Sequence, residues 1–252
     1  MLKRLISIFI LVILFQGVTV AQRNVRDSSV FMPLVSVDYT AMFGAADYYK
    51  RFGFTNALGL SVDFKTKKNL LFGIHGNFLF GSRVNETSQF EPMVNSDGNV
   101  TNIGGSIAGI ALKMRGFNVN ADIGYLFTFK KPNPNSGLFL KLGLGFLQHK
   151  IYIQNVEENV PQFNGDYKKG YDRQSRGANI SQHIGYMFIA NKGIWNFHIG
   201  LYMMEGFTQN VRYNFDTKSV NDKMQLDILF GIKAGWVVPI YKRAATAKKF
   251  YN

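Results

Sequence analysis

The chain has 252 residues and no cysteine, and its 29 Lys and Arg outnumber 16 Asp and Glu, giving a formal net charge of +13. The absence of cysteine excludes a disulfide scaffold, a zinc–thiolate site and a lipoprotein anchor. Aromatic residues make up 15% of the chain, too many for a disordered protein. A charge this basic raises nucleic acid as a partner, a hypothesis that depends on where the charges lie.

The N-terminal segment has the layout of a secretory signal peptide. Lys3 and Arg4 precede an apolar run over residues 5–15, and small residues follow as far as Ala21. The apolar run is shorter than the roughly 20 residues that a membrane-spanning helix needs, which disfavours the alternative of a retained anchor. We therefore expect residues 1–21 to be removed on export. An exported chain meets no cytosolic nucleic acid, so no nucleic-acid partner is predicted.

Apolar and polar residues alternate in eight segments of the remaining chain. In the first, Val35, Val37, Tyr39, Ala41 and Phe43 alternate with Ser36, Asp38 and Thr40. The other segments cover residues 58–64, 72–80, 117–129, 138–146, 184–188, 195–201 and 226–236. A period of two is typical of β-strands.

The two faces of these strands differ in a way that favours a membrane barrel. One face is apolar and aromatic at its ends, whereas the other carries small and polar residues, mainly Gly, Asn and Ser. Small side chains suit the narrow interior of an eight-stranded barrel, and lipid-facing strands need about 9–11 residues. The pattern predicts an all-β fold, an eight-stranded antiparallel transmembrane β-barrel over residues 22–241 in the outer membrane, with outer-membrane lipid around it. A soluble lipocalin-like barrel, which inverts the polarity, is the alternative.

Connection lengths give the barrel an orientation. Long connections at 44–55, 82–116, 149–179 and 208–223 alternate with short ones at 65–69, 130–137 and 191–193. Outer-membrane barrels have long external loops and short periplasmic turns. Residues 105–115 would disturb this alternation as a ninth strand, and their apolar residues recur at helical spacing. We expect a short helix there, in the second external loop.

Most of the net charge falls on the predicted periplasmic side. Ten cations lie in the short turns and in the basic tail over residues 242–252: Lys65, Lys67, Lys68, Lys130, Lys131, Lys192, Lys242, Arg243, Lys248 and Lys249. This rim would attract anionic inner-leaflet lipid or an acidic periplasmic partner, unless the lysines only make the turns soluble.

Nine titratable residues are predicted to face the barrel interior: Asp38, Asp63, Asp122, Asp227, Lys141, Lys233, His75, His183 and His198. Unpaired charge is costly in so narrow a space, so we expect a salt-bridged interior without an open pore. Three histidines with aspartates could also hold a metal. They lack close spacing such as HExxH, and neither a metal nor another cofactor is predicted.

The sequence carries no convincing catalytic motif, and we predict a protein that is not an enzyme. The only candidate catalytic residue is His149, near Glu157 and Glu158 at the mouth of the barrel, and we expect it to be a solvated loop residue. In the third external loop, five residues of types enriched at protein interfaces are candidate contacts: Tyr152, Phe163, Tyr167, Tyr171 and Arg173. The alternative is that these aromatics pack on one another as a cap.

Three segments resemble small outer-membrane barrels of the Bacteroidota type. They are residues 47–81 (DYYKRFGFTNALGLSVDFKTKKNLLFGIHGNFLFG), residues 147–173, which include VPQFNGDYKKGYDR, and residues 235–243 (GWVVPIYKR). The resemblance implies a non-enzymatic accessory subunit of an envelope machine, such as those for barrel assembly or type IX secretion, with outer-membrane or periplasmic proteins as partners. A narrow solute channel and a loop-mouth hydrolase are the alternatives. Here AATAKKFYN follows the last predicted strand, which would leave the tail available to periplasmic partners.

Overall fold

Eight long strands and one short helix form the framework of the protein. The computed structural model describes residues 28–129, 132–155, 160–191 and 194–240. The elements are β1 (Met32–Ala45), α1 (Ala46–Arg51), β2 (Thr55–Lys65), β3 (Leu70–Gly81), β4 (Ile110–Thr128), β5 (Gly137–Asn155), β6 (Ser175–Phe188), β7 (Phe197–Asn210) and β8 (Gln225–Pro239). The predicted signal peptide and the basic tail lie outside the described residues.

The strands close into an antiparallel barrel. Each strand pairs with the next along the chain, and β1 closes the ring against β8 in a register that runs from Leu34 opposite Pro239 to Ala45 opposite Ile228. The predicted eight-stranded antiparallel barrel is therefore confirmed. Closure leaves the eight described strands of the barrel without a free edge.

Strand alternation sorts the side chains as the sequence predicts. Leu60, Ile123 and Leu144 point away from the barrel and are 64%, 65% and 67% exposed, whereas the residues between them point inward and are mostly buried. The outward face is predominantly apolar on all eight strands, which is the reverse of a soluble lipocalin-like barrel. We call this band of outward residues the apolar belt.

The two ends of the barrel differ in their connections. The loop end carries the connections after β1, β3, β5 and β7, and the turn end carries those after β2, β4 and β6. At the turn end, Asn69 adopts φ +64°, a left-handed conformation that Asn tolerates well. Within the described residues, no helix is both long and apolar enough to cross a bilayer.

The predicted helix at residues 105–115 is wrong. Residues 110–115 are the loop-end part of β4, because β5 continues opposite them as far as Asn155 and supplies backbone hydrogen-bond partners. The helix that the first loop does contain, α1, was not predicted. The second loop contains a short 3-10 helix instead, at Ser88–Met93.

Candidate functional site

The barrel interior holds a compact network of charged side chains. All nine residues predicted to face inward are buried there. Two ion-paired groups in the middle of the barrel account for most of them, and Asp227 lies nearer the loop end.

Asp38 on β1 is the centre of the first group. His198 Nε2 on β7 lies 2.7 Å from Asp38 Oδ1, and Lys233 Nζ on β8 lies 3.3 Å from Oδ2. Ser61 Oγ on β2 donates a hydrogen bond to the same carboxylate at 3.4 Å. Four strands are thereby joined through one buried aspartate.

Lys141 on β5 is the centre of the second group. Its Nζ donates to Asp63 at 2.9 Å and 3.1 Å, and lies 3.9 Å from Asp122 Oδ2. The other partner of Asp122 is His75 Nδ1 at 2.5 Å, and His75 Nε2 lies 3.3 Å from the Tyr202 hydroxyl. Each buried carboxylate thus has an ionic or hydrogen-bonding partner, as buried charge requires.

Little space remains inside this network. His183 lies against the rings of Phe139, His198 and Tyr202, with centroid distances of 4.7, 5.3 and 5.9 Å. The cavity bordered by His75, Lys141 and Lys233 measures about 10 Å³, room for roughly one water molecule. Among the described residues, no three His, Cys, Asp or Glu side chains converge as metal ligands would.

Apolar layers cover the charged network on both sides. Towards the turn end lie Val30, Met32, Leu34, Leu71, Leu126, Phe139, Met187, Ile189 and Val237. Towards the loop end lie Met42, Tyr48, Phe52, Leu79, Met114, Leu147, Ile151, Met204 and Leu229. The interior is therefore filled in three layers, apolar, ionic and apolar, which argues against a solute channel.

His149 belongs to the apolar layer at the loop end. Its side chain is fully buried on β5, with Nε2 2.7 Å from Asp227 Oδ2, and the rings of Tyr48 and Phe52 pack on it at 5.4 Å. The expectation of a solvated loop histidine is wrong, because inward strand positions at this level lie beneath α1. A residue that solvent cannot reach makes a poor catalytic base. Glu157 and Glu158 lie outside the described residues.

A buried arginine joins the external loops above this layer. Arg51 of α1 donates to Glu86 Oε2 at 3.0 Å, to Ser175 Oγ at 2.8 Å and to the carbonyl oxygen of Arg173 at 2.6 Å. Glu86 Oε1 also lies 3.3 Å from Arg173 Nε, and Arg173 donates to Asp216 at 2.6 Å. We call these residues, Arg51, Glu86, Arg173, Ser175 and Asp216, the loop-end network. It connects all four loops.

Aromatic packing completes the cap. Phe90, Phe163, Tyr171 and Phe215 contact one another with ring centroids 5.4–6.3 Å apart. Of the five predicted contact residues, Phe163, Tyr171 and Arg173 are buried in this cap, so the prediction of a contact surface is wrong for them. They pack because each faces another loop. Tyr167 and Tyr152 remain 54% and 39% exposed.

Burial at the cap also changes the acidity of its side chains. Burial raises the pKa of Asp172, and the nearby Arg212 and Lys150 only partly oppose the effect. Burial likewise raises the pKa of the Tyr48 hydroxyl, which shares a 2.9 Å hydrogen bond with Thr55 Oγ1.

At the turn end, the predicted basic rim is described only in part. Lys67 and Lys68 are exposed in the β2–β3 turn. Lys65 is buried instead, because its Nζ donates to Ser29 Oγ at 2.8 Å and to the carbonyl oxygen of Val30 at 3.4 Å. The rest of the rim lies outside the described residues: Lys130, Lys131, Lys192, Lys242, Arg243, Lys248 and Lys249.

One acidic residue interrupts the apolar belt. Glu205 points outward from β7, directly opposite Ile180 on β6 and Ile228 on β8. Gln182 lies on the same outward face, opposite Met203. Within the described part of the chain, no ion pair involves Glu205. Sequence reasoning missed this residue, as well as Arg51 and Glu86, because no periodic pattern marks them.

Comparison with known proteins gives similarity of structure only. No family model matches the chain, and no curated protein matches its sequence. Among solved structures, Ail of Yersinia pestis, the attachment invasion locus protein, is 14% identical, with 83% of this chain and 99% of that chain covered and a TM-score of 0.41. Neisserial surface protein A is 10% identical over 81% and 96%, with a TM-score of 0.40. The N-terminal barrel domain of Pseudomonas aeruginosa OprF is 11% identical over 79% and 96%, with a TM-score of 0.31. These values carry no inference about function, and the fold assignment depends on the strand pairing.

Proposed function

We propose that this chain is an integral outer-membrane β-barrel that acts as a non-enzymatic accessory subunit of a multiprotein envelope complex, in barrel assembly or protein secretion. The filled interior is the observation that carries the proposal. Among the residues that the structure describes, the interior has no space for a solute and His149, the candidate catalytic residue, is buried, so we expect the barrel to act through its surfaces.

The apolar belt supports the membrane placement. A closed ring of exposed Leu, Ile, Val and Phe side chains would be strongly unfavourable in water, since burial of apolar surface is worth about 25 cal/mol per Å². The long connections at one end and the short ones at the other match the external and periplasmic sides of such barrels. This asymmetry supports an orientation with the loop end outside the cell.

Glu205 supports the proposal that the barrel has a partner protein in the membrane. A carboxylate on the lipid-facing side of a barrel is unfavourable unless it reaches the interface or meets a hydrogen-bond donor. Phe207 lies one outward position nearer the loop end, so Glu205 belongs to the belt and not to the loops. A second membrane protein with a basic or amide side chain at this level would satisfy Glu205 and Gln182 together. Exposed Lys67 and Lys68 offer a second contact, to an acidic periplasmic partner.

Site-specific crosslinking in the native membrane tests the proposal. A photoreactive amino acid at Met203, beside Glu205, should give a defined crosslinked band that mass spectrometry assigns to an envelope protein. The matched control places the same probe at Ile74 on β3, which is also outward but surrounded by apolar residues. Glu205→Leu should abolish the band at position 203 while the barrel still inserts.

Two results would overturn the proposal. One is the absence of a crosslinked band at every probe position, together with affinity purification that returns no stable partner. The other is ion conductance in planar bilayers, since the filled interior predicts a silent barrel.

A further inference from the structure

Four cations form a cluster on the outward face of the barrel at the loop end. Lys113 and Arg115 point outward from β4, Lys150 from β5 and Arg176 from β6. The strand register places Arg115 directly opposite Lys150, and Lys113 opposite Tyr152, one outward position further from the belt. We call these four side chains the basic cluster. On the three strands before β4, the outward positions at this end are Phe43, Asn56 and Phe80, which are uncharged, and Phe80 lies directly opposite Arg115.

The described part of the chain gives the basic cluster little charge compensation. Lys113 Nζ donates to the neutral Gln154 at 2.8 Å, and the Arg115 guanidinium donates to the Met114 carbonyl oxygen at 2.8 Å and lies over the Tyr152 ring at 5.9 Å. Among the described residues, the carboxylate nearest to Lys150 Nζ is Asp172 at 3.9 Å, and Asp172 is also 3.5 Å from Arg212 Nε. Like charges directly opposite one another on paired strands are destabilising. An external anion bound among these four side chains would offset their mutual repulsion.

The position of the basic cluster identifies the kind of anion. Immediately below it, at the upper edge of the belt, Phe117 and Phe146 pack at 6.0 Å, in the place where membrane barrels carry their aromatic girdle. Cations just beyond that girdle lie at the level of lipid headgroups. Below Arg176, Ala178 lies between Phe146 on one neighbouring strand and Phe207 on the other. Its small side chain leaves a groove between two large rings on the outward face.

We propose that the basic cluster and the groove at Ala178 bind one phosphorylated lipid of the outer leaflet. Arg115, Lys150 and Arg176 contact its phosphate groups, and an acyl chain lies over Ala178. Arginine is well suited to this role, because its planar guanidinium binds phosphate through two parallel hydrogen bonds. The inference rests on the proposed membrane placement.

Native mass spectrometry of the detergent-purified barrel tests the site, with bisphosphorylated lipid A as the probe. Each cation near an anionic headgroup is worth roughly a fivefold change in binding, so Arg115→Gln with Lys150→Gln should weaken binding about 25-fold. The control is Lys67→Gln with Lys68→Gln, which removes the same charge at the turn end and should leave binding unchanged. Ala178→Phe should weaken binding without removing charge.

Three results would overturn the lipid site. Equal loss of binding in the Lys67 and Lys68 variant would show attraction by net charge alone. Equal binding of the deacylated headgroup, or full displacement by inorganic phosphate, would show that the ligand is a soluble anion and not a lipid. Heat-modifiable migration on gels is measured in parallel. A variant that keeps heat-modifiable migration but loses lipid binding is still a folded barrel, so the loss belongs to the lipid site. If the wild type itself shows no heat-modifiable migration, the membrane barrel is contradicted instead.

Discussion

Arg51 and Glu86 form a largely buried ion pair, 3.0 Å from Nε to Oε2, that joins the first external loop to the second. Glu86 also lies 3.3 Å from Arg173 Nε in the third loop, and Arg173 bonds to Asp216 in the fourth. The loops of this barrel are therefore one connected cap. Phe90, Phe163 and Tyr171 pack inward on this cap and are buried, so they are not free to contact a partner.

Arg51→Met should loosen the cap without opening the barrel. The substitution removes the hydrogen bonds that Arg51 donates to Glu86 and to the Arg173 carbonyl oxygen, although Arg173 Nε also lies 3.3 Å from Glu86 Oε1. Breaking a largely buried pair costs about 2–4 kcal/mol after allowance for the partial exposure of Glu86. We expect faster cleavage of the loops by trypsin in detergent, while heat-modifiable migration is retained. The control is Lys50→Ala, which breaks an exposed pair with Asp47 and should change cleavage little. Equal protection of wild type and Arg51→Met would contradict a role for the loop-end network.

Lys141→Met should lower the stability of the barrel itself. It leaves the Asp63 carboxylate buried without its cation, a change worth about 3–5 kcal/mol. The measurement is the midpoint of urea unfolding in lipid vesicles. The double variant Asp63→Asn with Lys141→Met removes both charges and should recover at least half of the loss. If the single and double variants unfold at the same urea midpoint, the unpaired Asp63 charge is not the cause of the lost stability.

The narrow interior predicts that adding even one methyl group to an inward-facing glycine lowers the stability of the barrel. A Cβ on Gly143 would overlap Asp122 Oδ1 and Ser181 Oγ, so Gly143→Ala should destabilise the barrel by about 1–3 kcal/mol. The matched control is Gly76→Ala on the outward face, where a Cβ would lie 3.8 Å from its nearest neighbours, Asn118 O and Val119 Cγ2. Thermal melting followed by gel migration compares the two. Similar midpoints would mean that the interior has more space than the geometry shows.

The sequence was sufficient for the barrel because strand alternation is a local signal. Val37 and Tyr39 face outward and Asp38 faces inward through the pleat alone, and the same rule places Lys141 and His198. It fails where a distant strand decides the outcome. Ile110 and Met114 are spaced as in a helix, yet β5 opposite them supplies the hydrogen bonds of a ladder. The loop-end network could not be predicted either, because Arg51 and Arg173 are brought together only by closure of the ring.

The cap should respond to pH through Asp172. Burial raises the pKa of this carboxyl in the folded protein above its unfolded value, so the folded cap binds the proton more readily than the unfolded one. The ionised Asp172 carboxylate therefore destabilises the folded cap at neutral pH. This destabilisation is relieved as the pH falls through the folded-state pKa. Asp172→Asn removes this destabilisation, and its stabilising effect relative to the wild type should shrink as the pH is lowered from 7 to 4. Hydrogen exchange at the Ile151 amide, which donates to the Asp172 carbonyl oxygen at 2.8 Å, reports opening of the cap.

Asp166→Asn is the control, with the opposite sign. The hydrogen bond from Lys169 lowers the pKa of the Asp166 carboxyl, so any stabilising effect of that pair is lost as the pH falls. If the difference between Asp172→Asn and the wild type does not change with pH, Asp172 does not carry the response.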